Sequence, residues 1–351
     1  MSAIEGNGAL TARDWARSLA PYRKANAARG VLELAVTVLP FVALWAAMLV
    51  ASRNGQVWLS FAMAPFAAGL LARLFMIQHD CGHGGLFPSK PANDWVGRAI
   101  GVVTMTPYDH WRRLHAIHHA TSGNLDRRGV GDIHTLTVRE YFGRNWRDRL
   151  AYRLYRHPLV MFGLGPLYVF LIENRLPFGF MRNGATPWLS TMTTNAGILV
   201  ASGLLIWGAG LAPFLIVHLP IFAIGGAVAV WFFYVQHQFE ETTWEATADW
   251  SQPEAALHGS SFYDLPPPLP WLSGNIGVHH VHHLSSGIPF YRLPEVLRDH
   301  PELKEVGRRL TLRESLACVR LALWDEEKRR MVSFGEAWAS RRAEVRAVGG
   351  R

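Results

Sequence analysis

His115-Ala-Ile-His118-His119 lies in the polar middle of the chain, between two pairs of long apolar runs, with further paired histidines on either side of it. On a helix, positions i, i+3 and i+4 share one face, so His115, His118 and His119 are expected to converge on a common point. Three imidazoles at that spacing suit a metal, whereas a lone histidine on an apolar face reads as a hydrogen-bonded core residue.

The apolar runs give the fold class. Half of the 351 residues are hydrophobic and only 18% are charged, with the apolar residues gathered in blocks, a composition that points to the bilayer as part of the solvent. Leu34 to Ala51 carries no charge. A helix of about 18–22 residues reaches about 27–33 Å, close to the hydrocarbon thickness of a membrane. A second run follows the polar break at Ser52 to Gln56 and extends from about Val57 to Ile77; a third spans Trp188 to Trp207 and a fourth Ala212 to Gln236. Pro158 to Ile172 has only fifteen residues, with Gly163, Gly165 and Pro166 inside, and is read as interfacial or re-entrant. The expectation is an all-α integral membrane protein of four transmembrane helices in two hairpins, with a helical cap that carries histidines.

This divides the chain into an N-terminal amphipathic segment (1–30), a membrane domain (31–236) with an insertion at 78–187, and a C-terminal cap (237–351). The basic stretch at 9–29 is suited to lie on a membrane surface or to stand as a solvated leader helix. In the cap, Asn275 to Leu284 and the charged/apolar alternation over 302–346 read as helical. Arginines are dense from Arg112 to Arg156, which assigns the insertion, both termini and the histidines to the cytoplasmic face. The net charge of +8 has the same origin, and no nucleic-acid-binding signature is visible. Two cysteines, Cys81 and Cys318, are too few for a disulfide framework.

Nine of the sixteen histidines form a pattern: His79/His83, His115/His118/His119, His279/His282/His283, and His237 directly after the fourth run. Nine neutral nitrogen donors exceed what one tetrahedral zinc uses, so two metals are expected. Such donors suit iron, copper, nickel or zinc better than magnesium or calcium. Asp80, Asp126 and Asp132 are candidates to orient ring N–H groups. His110, His134, His157, His218, His258, His280 and His300 are read as structural.

His79-Asp-Cys-Gly-His83, His115-Ala-Ile-His118-His119 and His279-His-Val-His282-His283 resemble the three histidine boxes of the membrane fatty acid desaturases. The first box is most similar to that of the acyl-lipid Δ12 or ω-type branch. The resemblance covers roughly residues 30–300 and implies a non-haem centre of two iron ions that uses O2 to remove two hydrogens from adjacent methylenes. The substrate it implies is a fatty acyl lipid or acyl thioester, and a separate ferredoxin or cytochrome b5-like protein would supply electrons. His237 matches the family's additional histidine. Some relatives hold a metal-bound water with an asparagine one turn before a ligand; Phe233 stands at that offset from His237, which leaves Asn275, four residues before His279, for this role or for a helix cap. Arg112, Arg113, Arg127 and Arg128 offer an acidic electron donor a basic surface. Two other readings stay open: a hydroxylase or ketolase of a lipid, alkane or carotenoid with the same metal chemistry, and a metal-binding membrane transporter.

Overall fold

The computed structural model describes residues 12–349. Four of its helices are long and apolar enough to cross a membrane: α1 (Ala27–Arg53), α2 (Val57–Gly82), and, beyond the site helix α3 (Tyr108–Thr121), α4 (Ala185–Ala209) and α5 (Leu211–His237). A short helix, α6 (His279–Leu284), follows in the C-terminal part. The all-α membrane class therefore holds, with each helix extending a few residues beyond its apolar run.

Asn26 starts α1 by accepting the Arg29 N–H at 3.0 Å, and Gly55, at φ +76°, turns the chain into α2. Ser60 ties the hairpin by donating to the Met48 carbonyl at 2.8 Å. Gly210, at φ +91°, makes the corresponding turn between α4 and α5. Helix α2 is central and packs on both α1 and α5; its apolar window is 56% buried against 17% for α1 and 28% for α5. The outer helices turn side chains such as Leu39 (68% exposed), Leu199 (75%) and Trp207 (87%) away from the protein. At about 25 cal/mol per Å² of apolar surface, such rows are unfavourable in water and natural in lipid.

Residues 160–171 form a π-turn and a seven-residue helix that lie along α5, with Phe162 against Trp231 and Tyr234 and with Pro166 and Phe170 set against Gly226. A side chain at Gly226 would meet the Pro166 ring at 2.9 Å, so the close approach depends on the glycine. This piece is not among the helices long enough to span.

Three expectations need correction. Residues 302–346 are not helical throughout. They contain β3 (Arg309–Thr311), β4 (Leu321–Asp325) and β5 (Arg330–Ser333); β3 pairs in parallel with β2 (Phe262–Asp264), and β4 lies between β1 (Leu136–Thr137) and β5. Leu321-Ala-Leu-Trp-Asp325 is a short apolar run that both periodicities fit, and the hairpin partner Arg330–Ser333, reached through Arg329 at φ +52°, decides for a strand. The helix expected from Asn275 begins only at His279, because Gly274 (φ +58°) and Asn275 (φ +53°) are successive left-handed residues that no helix admits. The segment at 9–29 does not keep its apolar face for a membrane. From residue 12 onward it buries Trp15, Leu19 and Tyr22, with Trp15 edge-on to His300 and the Tyr22 hydroxyl donating to Asp299 at 2.9 Å; residues 9–11 lie outside the described residues.

Candidate metal centre

Four elements deliver the nine rings. Helix α2 ends with His79 inside its last turn and His83 as its C-cap, α3 carries His115, His118 and His119, His237 is the last residue of α5, and α6 carries His279, His282 and His283. Tyr108 fixes α3 at its start: its ring fills the space beside Gly97, and its hydroxyl donates to the Cys81 carbonyl at 2.8 Å, locking α3 to the end of α2.

The rings form two groups. His79, His83, His115, His119 and His282 make one, His118, His237, His279 and His283 the other, and within each group one nitrogen per ring lies within 4.8 Å of every other. The triplet of α3 is thus divided instead of converging on one point. A helix advances about 100° per residue, so i and i+4 stand about 40° apart while i+3 falls about 60° to the other side. In α3 the pair His115/His119 stays together and His118 crosses; in α6 His279/His283 stays together and His282 crosses. Each helix serves both groups.

The donor set fits a cation. Nε2 atoms meet at 3.0 Å between His83 and His115, 3.1 Å between His282 and His119, and 3.0 Å between His279 and His237. Metal–imidazole bonds of about 2.0–2.1 Å separate neighbouring ligands by about 3 Å and opposed ones by about 4 Å. The Nε2 atoms of His118 and His283 are buried with no hydrogen-bond partner in the protein, a cost that a bound cation removes.

Outer partners aim the rings. The Nδ1 of His79 lies 3.1 Å from Asp80 Oδ1, that of His118 contacts Asp132 Oδ1, and that of His237 lies 3.1 Å from the Gly259 carbonyl. A proton held on Nδ1 by an oxygen leaves Nε2 as a lone-pair donor toward the centre. Asp80 is itself fixed, accepting the Phe290 N–H at 2.6 Å. Asp126 has no such role here, since its carboxylate accepts the Thr247 N–H at 2.8 Å in a loop away from the rings. Asn275 directs its amide to the Phe290 carbonyl at 3.2 Å and caps no helix, because its left-handed backbone turns it away from α6. His280 is buried with its Nε2 2.7 Å from the Leu303 carbonyl, outside both groups.

Two aromatic walls were given no such role in the sequence, where Phe233 stood only in place of the family's asparagine. Trp111 stacks on His115 at 4.7 Å and 15°, with Phe75 edge-on to it at 5.3 Å, and Phe233 tilts against His118 at 5.0 Å. Trp111 and Phe233 each stand four residues before a histidine of the pattern, a helical neighbour signal that was legible. The Gly259 carbonyl gave none. The basic surface is also altered: Arg112 pairs with Asp94 at 2.7 Å, Arg128 with Glu140, and Arg113 lies over the Phe180 ring at 4.1 Å.

Burial, reinforced by neighbouring rings, holds His83, His115, His119, His279, His282 and His283 well below the ordinary histidine value. These rings are neutral at pH 7, the form that binds metal. The unfolded chain takes up protons below about pH 6.5 while the folded metal-free protein resists them, so its stability is full above that pH and is lost as pH falls. Thermal melts of metal-free protein in detergent are expected to give a Tm that drops steadily from pH 7 to pH 5; a flat profile would contradict the neutral cluster.

The model of the family described as fatty acid desaturase matches residues 56–313, a stretch that contains all nine rings. A fatty acid desaturase of Bacillus subtilis is 44% identical over 320 residues, covering 91% of this chain and 89% of the relative. The sn-1 acyl-lipid omega-3 desaturase (ferredoxin) of a Synechocystis strain is 29% identical over 63% of this chain and 61% of its own length. The sn-1 oleoyl-lipid 12-desaturase of the same strain is 27% identical over 67% and 65%. With a family match that runs from the start of α2 into the cap, over a membrane fold whose two histidine groups could hold metal, the chain belongs to the fatty acid desaturase family, whose members are oxidoreductases.

Proposed function

We propose that this protein inserts a cis double bond into a fatty acyl chain of a membrane lipid or acyl thioester, with two iron ions bound by the nine histidines and O2 as oxidant. The observation that carries this reading is the pair of adjacent all-imidazole groups at the ends of α2 and α5, one wholly buried and the other partly so. In the balanced reaction, –CH2–CH2– with O2, two electrons and two protons gives –CH=CH– and two waters. The metal pair, when bound, supplies the activation of O2 that breaks unactivated C–H bonds, chemistry no side chain provides.

The chain's own residues hold and shield. His79, His83, His115, His119 and His282 hold one ion, and His118, His237, His279 and His283 the other. Asp80 and Asp132 keep the Nδ1 protons of His79 and His118 in place. Trp111, Phe75 and Phe233 present apolar surface beside the rings, where an acyl segment is favoured over water.

The same reading places the insertion at 78–187, the cap at 237–351 and both termini on the cytoplasmic face, since two hairpins return the histidine-bearing ends of α2 and α5 to one side and the arginines of the insertion mark it. A separate electron donor of the ferredoxin class is the reductant, by analogy with the Synechocystis relative whose name includes ferredoxin. Expression in a host without its own desaturase tests the whole: new cis-unsaturated acyl chains are expected by gas chromatography, and a cysteine placed at Arg182 is expected to resist an impermeant label added outside the cells. Hydroxylated or ketolated products without new double bonds would replace the reading by that of a di-iron hydroxylase. Labelling of the cysteine from outside would overturn the orientation.

A further inference from the structure

Among the described residues, the membrane-spanning helices also carry a buried ion pair outside the imidazole groups. Arg73 of α2 stands six residues before His79, and both it and Glu33 of α1 are almost wholly buried, at 1% and 3% exposed. An ionisable pair at this depth is costly unless each hydrogen bond is made, and charged residues within spans are characteristically functional. The guanidinium reaches three partners: it pairs with the Glu33 carboxylate, donates Nε–H to Thr37 Oγ1 at 3.0 Å, and donates to the Trp271 backbone carbonyl. It also lies 4.1 Å from the centre of the Trp271 ring and 5.2 Å from that of Phe290.

Trp271 and Phe290 bracket α6. The stretch between them carries His279, His282 and His283, and its far end returns to α2 through the Phe290 N–H on Asp80, whose other oxygen faces His79. Gly274, at φ +58°, lets the same stretch press on Met76, where a side chain would meet the Met76 Cβ at 2.9 Å. The segment bearing the third histidine box is therefore held to the helix bearing the first by Arg73 at one end and Asp80 at the other.

We propose that Arg73, oriented by Glu33 and Thr37, is a positioning residue that latches the segment from Trp271 to Phe290 onto α2 and so sets the rings of α6 against those of α2. A planar fork with fixed donor directions suits this task; a lysine is a point donor that keeps the charge pair but cannot serve the three partners together. The inference rests on the reading of α6 as a source of metal ligands. The competing account is that the pair only fastens α1 to α2.

The double variant Arg73→Met with Glu33→Leu separates the two, because it removes both buried charges at similar volume and strands neither. Glu33 also has Arg29 at 2.6 Å, near the surface, which its loss leaves in solvent reach. In purified protein, the double variant is expected to keep a Tm near wild type, while amides of residues 271–290 exchange hydrogen about tenfold faster and metal affinity falls by about tenfold, the lower bound for losing a ligand-orienting contact. Wild-type exchange across 271–290 with wild-type metal content would overturn the latch. Arg73→Lys is measured in parallel and keeps the test open if the double variant does not fold: faster exchange in 271–290 supports the latch, and unchanged exchange contradicts it. The exchange readout is made on metal-free protein, so absence of metal from the wild type would defeat the ligand reading while leaving the latch to be judged by exchange alone.

Discussion

His118→Ala is expected to leave about one metal per chain instead of two and to lower turnover at least about 100-fold, above the 10–100-fold range seen when only an outer partner of a ligand is lost. His118 is the sharpest choice because it lies against Asp132 on one side and has an unpartnered buried Nε2 on the other, within the group of His237, His279 and His283. Removing it strips that group of a donor and leaves the Asp132 carboxylate without its ring. His282→Ala should have the same size of effect through the other group. His280→Ala is the matched control: that ring is equally buried on the same helix but lies on the Leu303 carbonyl, so both metals should remain although the lost hydrogen bond lowers stability by about 1–3 kcal/mol. Metal analysis and single-turnover assays of the three variants check this. If His118→Ala kept two metals and full turnover, His118 would not be a metal ligand.

Gly277→Ala is expected to cost about 3 kcal/mol and to release metal, although alanine is the smallest change available. A Cβ at this position would fall deep inside contact distance of the Tyr263 carbonyl oxygen, a backbone atom held in β2, while the Tyr263 N–H donates to the Gly277 carbonyl at 2.7 Å. Neither side can yield as a flexible side chain would, and His279 lies two residues on. Gly143→Ala meets nothing within 4 Å and serves as the neutral comparison. Detergent-phase thermal melts and metal content measure both. A Gly277→Ala protein with the wild-type Tm and metal content would show that β2 and α6 separate without cost.

Much of the membrane fold was legible because lipid demands long uninterrupted apolar helices, and Leu34–Ala51 and its three counterparts leave no other reading. The histidine pattern was legible for a related reason, as helix geometry puts rings at i, i+3 and i+4 toward one face. Their expected convergence on one point was misread: the i,i+4 pair stays together and the i+3 ring, about 60° to the other side, joins the second group, in α3 and in α6 alike. What local pattern did not carry was long-range. The strands β4 and β5 depend on each other as partners, the docking of Trp15 and Tyr22 on His300 and Asp299 joins the two ends of the chain, and the Gly259 carbonyl reaches His237 only through the fold. Asn275 was misread because its left-handed backbone, set by the preceding turn, directs its side chain to Phe290 and not to α6. Asp126 and Asp132 look alike in sequence, yet only Asp132 meets a ring.

The central claim is that nine histidines make two metal centres and that iron fills them. Metal analysis of the wild-type protein, purified in detergent from cells grown with iron, tests it most directly. The account predicts about two iron atoms per chain, removed together with activity by a chelator and restored with it by ferrous iron; one metal per chain, or a chain that desaturates acyl lipid with zinc in place of iron, would contradict it.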